Sequence, residues 1–469
     1  MDFWCDMERW GEATALAAED GEGMTYAELS QAADEHVVHL ATPAGQRGLA
    51  FLLAKNCPEA ILGYLGFLRS RTVVALQPAG LHGEWLTKLL DAYQPQYLWL
   101  PKERAGELPG ATELVSRGNY VLLATRAPFS PMHPELAQLL STSGSTGSPK
   151  LVRQSYGNIA ANAASIAEYL DIRSADRPIT TLPMSYVYGL SVITSHLLRG
   201  ATIVLTNRGV TEKGFWETLK AREATSFAGV PYTFEMLKRL RFGRMELPSL
   251  NVLTQAGGKL SAELVLEFAR LCRDQGRKFV VMYGAVEATA RMSYLPHSDA
   301  LEKPASIGIP IPGGDMWLED EDGHLVEGAD RVGELVYRGD NVTMGYASCR
   351  EDLSLGDDWN GVLHTGDIAR RDDDRYYYLV GRKRRFIKVF GNSVNLDEVE
   401  QHIRNQGIDC ACGGRDDRLC VYVVDASRAG TIAAFVQELT GLHRSACEVR
   451  VISEVPRNEY GKINYAALP

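Results

Sequence analysis

The sequence predicts an α/β protein of more than one domain. A large N-terminal region of β-sheets covered by helices carries a β-rich subdomain, and a small α+β unit follows it. Three observations predict this. The chain has 469 residues, a length that usually divides between cores. From about residue 48, short apolar runs alternate with amphipathic stretches of helical length. Beyond about residue 310 that alternation gives way to strands and turns.

Taken in order, "LAFLLA" is a short continuous apolar run and reads as a buried strand. "PEAILGYLGFLRS" follows with helical spacing, then the strand "TVVAL", the helix "GEWLTKLLDAY" and the strand "QYLWL". The alternation resumes with the helix "NIAANAASIAEYL", the strands "PITTL" and "ATIVL", and the helix "GFWETLKARE". It continues as "ATSFAGV", "TFEMLKRL", "NVLTQA", "AELVLEFARLCRDQ" and "KFVVMY". Strands separated by helices imply largely parallel sheets with helices on their faces. "GDMWLEDEDGHLV", "VGELVYRGD" and "RYYYLVG" form the β-rich stretch. The last part reads strand, helix, strand, strand, helix, strand, which sets domains at residues 1–382 and 383–469.

Net charge is −10, so no global basic field favours nucleic acid or an anionic membrane. No apolar run approaches a membrane span, and "MDFWCDMERW" lacks a signal pattern; a cytoplasmic protein is expected. Eight cysteines are too few for a disulfide scaffold. Cys410, Cys412, Cys420 and Cys447 lack paired zinc spacing, and "IDCACGG" and "RLCVYVVD" read as strands with small buried residues.

"LLSTSGSTGSPK" interrupts the alternation: eight residues drawn only from Ser, Thr and Gly, then Pro149 and Lys150. Such a loop packs no core and loses much entropy when held. Its backbone N–H groups, hydroxyls and ammonium suit a polyanion. It is not a Walker loop, because Pro149 removes a donor and disfavours helix at Ser148.

This stretch resembles the phosphate loop of the adenylate-forming superfamily, which holds acyl-CoA synthetases, peptide-synthetase adenylation domains and luciferases. Four further segments match in order: "VMYGAVEATARM", "GELVYRGDNVTMGY", "LHTGDIARRDDDRYYYLVGRKRRFIKVFG" and "VPRNEYGKINYAAL". "MTYAELSQAADEHVVHL" resembles the family's T-Y-x-E-L helix. The resemblance implies a two-step reaction: a carboxylate attacks the α-phosphate of ATP, and a thiol of CoA or of a carrier protein's phosphopantetheine then takes the acyl group.

It also implies roles. Thr142, Ser143, Gly144, Ser145, Thr146, Gly147 and Lys150 would hold the leaving phosphates, and Gly257, Gly258, Gly284 and Val286 would border the nucleotide. Tyr283 would stack on adenine, Asp367 would take the ribose hydroxyls, and Arg382 would reach ribose or phosphate. Glu287, with Thr146, would bind Mg²⁺, a hard cation suited to oxygen ligands. Lys462 would sit between carboxylate and α-phosphate, offsetting their repulsion in the transition state. Lys388 matches the lysine that faces the site in a second pose of a mobile C-terminal lid, and Arg384 stands at the hinge, where the family usually has Asp or Lys. Lys383 and Arg385 read as solvated charges, or as a patch for CoA phosphates or an acidic carrier protein.

Tyr186 and Val187 in "LPMSYVYGLS", with Ala285, Met282, Gly257 and Gly258, are candidate acyl-pocket residues, as is Met292. No acid occurs between Asp176 and Thr211 to pair with an α-ammonium, which favours a carboxylic acid without an α-amino group. Val286 replaces the family's Thr or Ser; it keeps shape and loses a donor to the α-phosphate, unless Thr289 or a water supplies one. The sequence is read as an acid–thiol ligase. The alternatives are a free-standing amino-acid adenylation enzyme and a nucleotide-binding pseudoenzyme weakened at Val286.

Overall fold

The computed structural model describes the chain apart from residues 1, 20, 22, 82, 109, 142–149, 390–391, 416–417, 441–442, 444–445 and 458–462. At 384, 386, 388, 392, 393, 438 and 466 it describes the backbone alone. The chain divides into two compact units. One comprises Met1–Ala305, Pro310–Asp315 and Arg338–Leu363; the other comprises Ser306–Ile309, Met316–Tyr337 and His364–Pro469. The sequence-derived boundary after residue 382 falls inside the second unit, which also takes in most of the β-rich stretch.

The first α-helix of the first unit is Tyr26–Val37, fixed by a capping box in which Thr25 and Glu28 satisfy each other's backbone N–H groups. An eight-stranded sheet follows, in the order Tyr346–Ala347, Leu151–Ser155, Leu136–Ser141, Val73–Pro78, Leu49–Ala54, Tyr97–Pro101, Tyr120–Ala124 and Thr112–Arg117. Its middle is parallel, as the alternation predicts, while its flanks are antiparallel hairpins. A nine-stranded sheet has Lys278–Tyr283, Val252–Gln255, Ser226–Gly229, Pro178–Ile179, Ile203–Leu205 and Thr14–Ala18 as its parallel centre. Continuous apolar strands such as Leu49–Ala54 are buried along their whole length, which is what helices on both faces require. The helix Val187–Leu198 stands out in sequence as a motif rather than as an element; it is apolar nearly all round and almost wholly buried, so it has no polar face to betray its period.

In the second unit the last part runs as a hairpin, Phe386–Val389 with Asn392–Asn395, then helix, two strands, helix and strand. Cys410, Cys412 and Cys420 lie buried in its strands, as expected of core thiols. Arg385 departs from the solvated reading. Its guanidinium donates to Asp397 at 2.7 Å and to Glu400 at 2.6 Å and lies 3.8 Å over the Tyr465 ring. Glu400 is buried and would be costly unpaired, so a cation is drawn in beside it. Lys383 stays exposed and pairs with Glu334 at 2.8 Å.

Candidate active site

Open parallel sheets bind ligands beyond the carboxyl ends of their strands. Several predicted residues of the first unit sit at such ends. Val252–Gln255 runs into Gly257 and Gly258, and Lys278–Tyr283 runs into Gly284, Ala285, Val286 and Glu287. Gly257 has φ +83°, and a Cβ there would come within 2.7 Å of the Tyr186 hydroxyl. The Gln255 amide donates to the Gly258 carbonyl at 2.9 Å and so holds this turn. Tyr186 is the cap of the buried helix Val187–Leu198, which turns it toward the same turn; burial pushes its phenol up to about 12. At Gly284 a Cβ would lie 1.9 Å from the Ala290 carbonyl oxygen and 2.8 Å from the Arg291 Cα, because the chain folds back against the glycine. Met282 and Met292 are both buried; the Tyr169 hydroxyl donates to the Met282 sulfur at 2.9 Å.

A second group forms at the mouth of the hairpin whose strands are Leu136–Ser141 and Leu151–Ser155. Residues 142–149, and with them Thr142, Ser143, Gly144, Ser145, Thr146 and Gly147, lie outside the described residues. Ser141 and Leu151 pair at the base of that loop, which places Lys150 at its edge. On the other side Tyr346 pairs with Val152. Lys150 Nζ lies 3.4 Å from the centre of the Tyr346 ring, and the Tyr346 hydroxyl donates to Glu287 Oε1 at 2.9 Å. Cation, ring and carboxylate therefore stand in one row. Arg153 fixes it: its guanidinium is fully buried, donates to the Met344 and Tyr346 carbonyls and pairs with Asp358 at 2.6 Å. Glu287 is a partly exposed carboxylate on the turn Val286–Ala288, joined to Lys150 through Tyr346, and its hard oxygen donors would suit Mg²⁺.

Val286 is buried in the apolar core, and its carbonyl accepts from the Gln154 amide at 3.0 Å. The Thr289 hydroxyl donates to the Asn341 carbonyl at 2.7 Å, so it is already committed and does not replace the missing donor. In the second unit, Asp367 and Arg382 face each other across paired strands and are bridged at 3.1 Å. Asp367 is buried and its backbone N–H bonds the Thr365 hydroxyl at 3.0 Å. Lys462 lies outside the described residues, and for Lys388 and Arg384 only the backbone is described. Tyr346 and Arg291 stand within matching motifs, yet no signal in the sequence gives either a role, and none marks Gln154.

The AMP-binding enzyme family model matches residues 3–347. The chain belongs to that family. AMP-binding enzymes similar to it include the oxalate–CoA ligase of Arabidopsis thaliana, 26% identical over 97% of this chain and 95% of that one. The 2-succinylbenzoate–CoA ligase of Oceanobacillus iheyensis is 25% identical over 96% of this chain and 94% of its own. Among solved structures, O-succinylbenzoate coenzyme A synthetase from Bacillus subtilis in complex with AMP superposes with a TM-score of 0.80 at 23% identity, covering 100% of this chain and 98% of that one. The shared fold is therefore that of an AMP-binding enzyme throughout its length.

Proposed function

We propose that this AMP-binding enzyme activates a carboxylic acid lacking an α-amino group and transfers it to CoA. It is an AMP-forming acid–CoA ligase that uses ATP and Mg²⁺. A carboxylate oxygen bonds the α-phosphorus while the bond to the β-phosphate oxygen breaks and pyrophosphate leaves. The CoA sulfur then bonds the acyl carbon and AMP leaves. Glu287 and Thr146 would hold Mg²⁺, which would supply charge neutralisation on the leaving phosphates. Lys150 and the loop at 142–147 hold those phosphates, Tyr283 stacks on adenine, and Asp367 with Arg382 holds the ribose. Lys462 serves the first step and Lys388 the second, on a lid of residues 383–469 that pivots at Arg384. ATP and CoA are both available in the cytoplasm, which supports the reading of a cytoplasmic enzyme.

The row Lys150–Tyr346–Glu287 carries this reading, because it joins the cation expected to hold phosphate to the carboxylate expected to hold the metal. An amino-acid substrate is the second reading, favoured by a match to a linear gramicidin synthase of Brevibacillus parabrevis, 26% identical over 100% of this chain and 6% of that one. Against it, the charged side chain lying on the ring of Tyr188, two residues after Tyr186, is the cation Arg291, which repels an ammonium. Pyrophosphate release over a panel of carboxylic acids, with and without CoA, is the test. Acid-dependent release and a CoA thioester are expected; preference for an amino acid over its deaminated analogue overturns the substrate class, and transfer only to a carrier protein overturns CoA.

A further inference from the structure

Arg291 is 2% exposed, and among the described residues no carboxylate pairs with it. Its Nε has no hydrogen-bond partner. A buried guanidinium without a counter-charge is costly, and a buried donor without an acceptor adds to that cost. What surrounds it is aromatic. Its central carbon lies 3.9 Å over the Tyr188 ring, and Tyr188 in turn lies 6.4 Å from the Tyr186 ring and bonds Thr254 at 2.9 Å. Tyr169, stacked on Tyr294 at 4.4 Å, is pushed up to about 12 by burial, a rise that Arg291 opposes by its charge and by a hydrogen bond. Rings attract the face of a guanidinium and give no acceptor to the Nε–H donor at its edge. The backbone of Arg291 passes directly beneath Gly284, beside Ala285 of the expected acyl pocket.

We propose that Arg291 binds a second carboxylate of the substrate, so that the acid activated here is a dicarboxylic acid. This rests on the reading of the chain as an acid–CoA ligase. One carboxylate enters the reaction with ATP; the other meets the planar fork of Arg291, whose geometry matches a carboxylate in two parallel hydrogen bonds. The tyrosines exclude water from that pair and strengthen it. The same cation rejects an α-ammonium in the pocket.

Binding and turnover test this separately. Oxalate, malonate, succinate, glutarate and phthalate are titrated against the whole enzyme with a non-hydrolysable ATP analogue, each beside its monomethyl ester, and the melting midpoint is read. At least one diacid should raise the midpoint while its ester does not; Arg291→Met should abolish the shift, and Arg291→Lys should keep part of it. Circular dichroism and the shift caused by the ATP analogue alone report whether each variant is folded. In turnover, the diacid should exceed its ester by about tenfold or more in kcat/KM, with the difference in KM, and Arg291→Met should cost the diacid about ten- to a hundredfold. Equal response to diacid and ester in the wild type, or no diacid binding, overturns the proposal. Diacid-selective binding without pyrophosphate release overturns the ligase reading and leaves this one standing.

Discussion

At Tyr346 one phenol serves two charges. Its ring carries the Lys150 ammonium and its hydroxyl orients the Glu287 carboxylate, so removing the oxygen alone separates the two tasks. Tyr346→Phe should lower the adenylation rate by about tenfold, since a hydrogen bond to a charged group contributes about 1.5–3 kcal/mol at most. Because the lost bond orients the proposed Mg²⁺ ligand, raising Mg²⁺ should restore part of the rate. A Mg²⁺ titration of adenylation in both forms decides it; an unchanged Mg²⁺ requirement separates Tyr346 from the metal. Val286 lies one residue from Glu287 and lacks the hydroxyl that the family resemblance leads one to expect. With Thr289 bound to Asn341, nothing else on that turn supplies it. Val286→Thr should raise kcat for adenylation by about tenfold or more. It should also cost about 1 kcal/mol of stability, since the hydroxyl enters a mostly apolar niche. A flat or reduced kcat at saturating ATP shows that the site has repacked around valine.

At the scale of elements, the strands and helices are legible in sequence wherever one face differs from the other. The helix Ala262–Asp274 shows its apolar stripe, and Leu49–Ala54 shows its continuous burial. The buried helix Val187–Leu198 does not, having no contrast to show. Candidate site residues inside one contiguous motif, such as Tyr283 through Glu287, can be grouped from sequence because neighbours in sequence are neighbours in space. Tyr346 meets Lys150 only because a strand register pairs it with Val152, and no local pattern encodes that pairing. Arg291 looks like any surface arginine until its burial is seen. Two helices also store a pH response. His36, on Tyr26–Val37, and His196, on Val187–Leu198, are both pushed down to about 4, chiefly by burial. The unfolded chain binds these protons near pH 6.5 and the folded chain does not, so stability is fully present above about 6.5 and is lost as pH falls toward 4. Each histidine contributes on the order of 3 kcal/mol over that window. The melting midpoint should fall between pH 7 and pH 5, and His36→Gln should flatten the fall; a slope identical in both forms removes His36 from the account.

At the scale of the whole molecule, the two steps ask opposite things of one lid. Adenylation needs a cation between two anions that repel each other, and thioester formation needs room for a thiol where that cation stood. A single fixed arrangement serves one step at the expense of the other, and the proposed two poses, with Lys462 serving one and Lys388 the other, answer that conflict. Within residues 383–469 the chain is tied together across its length. Arg385, next to the proposed pivot, and Tyr465, three residues after Lys462, are both fastened to the buried Glu400, the tyrosine at 2.9 Å. Glu400 also accepts from the Cys412 N–H at 2.7 Å, so pivot and C-terminal segment share an anchor in the unit's core. Lys462→Ala should therefore abolish acyl-adenylate formation while transfer from supplied acyl-adenylate to CoA survives, and Lys388→Ala should do the reverse. Removal of a transition-state cation costs about a hundredfold or more in the step it serves. Single-turnover assays of each half-reaction separate them, and equal loss of the same half-reaction in both variants defeats the two-pose assignment. Tyr465→Phe frees the segment from Glu400 without touching substrate. It should weaken adenylation several-fold and affect transfer from supplied adenylate less, because Arg385 keeps its own bond to Glu400 when the Tyr465 hydroxyl is lost.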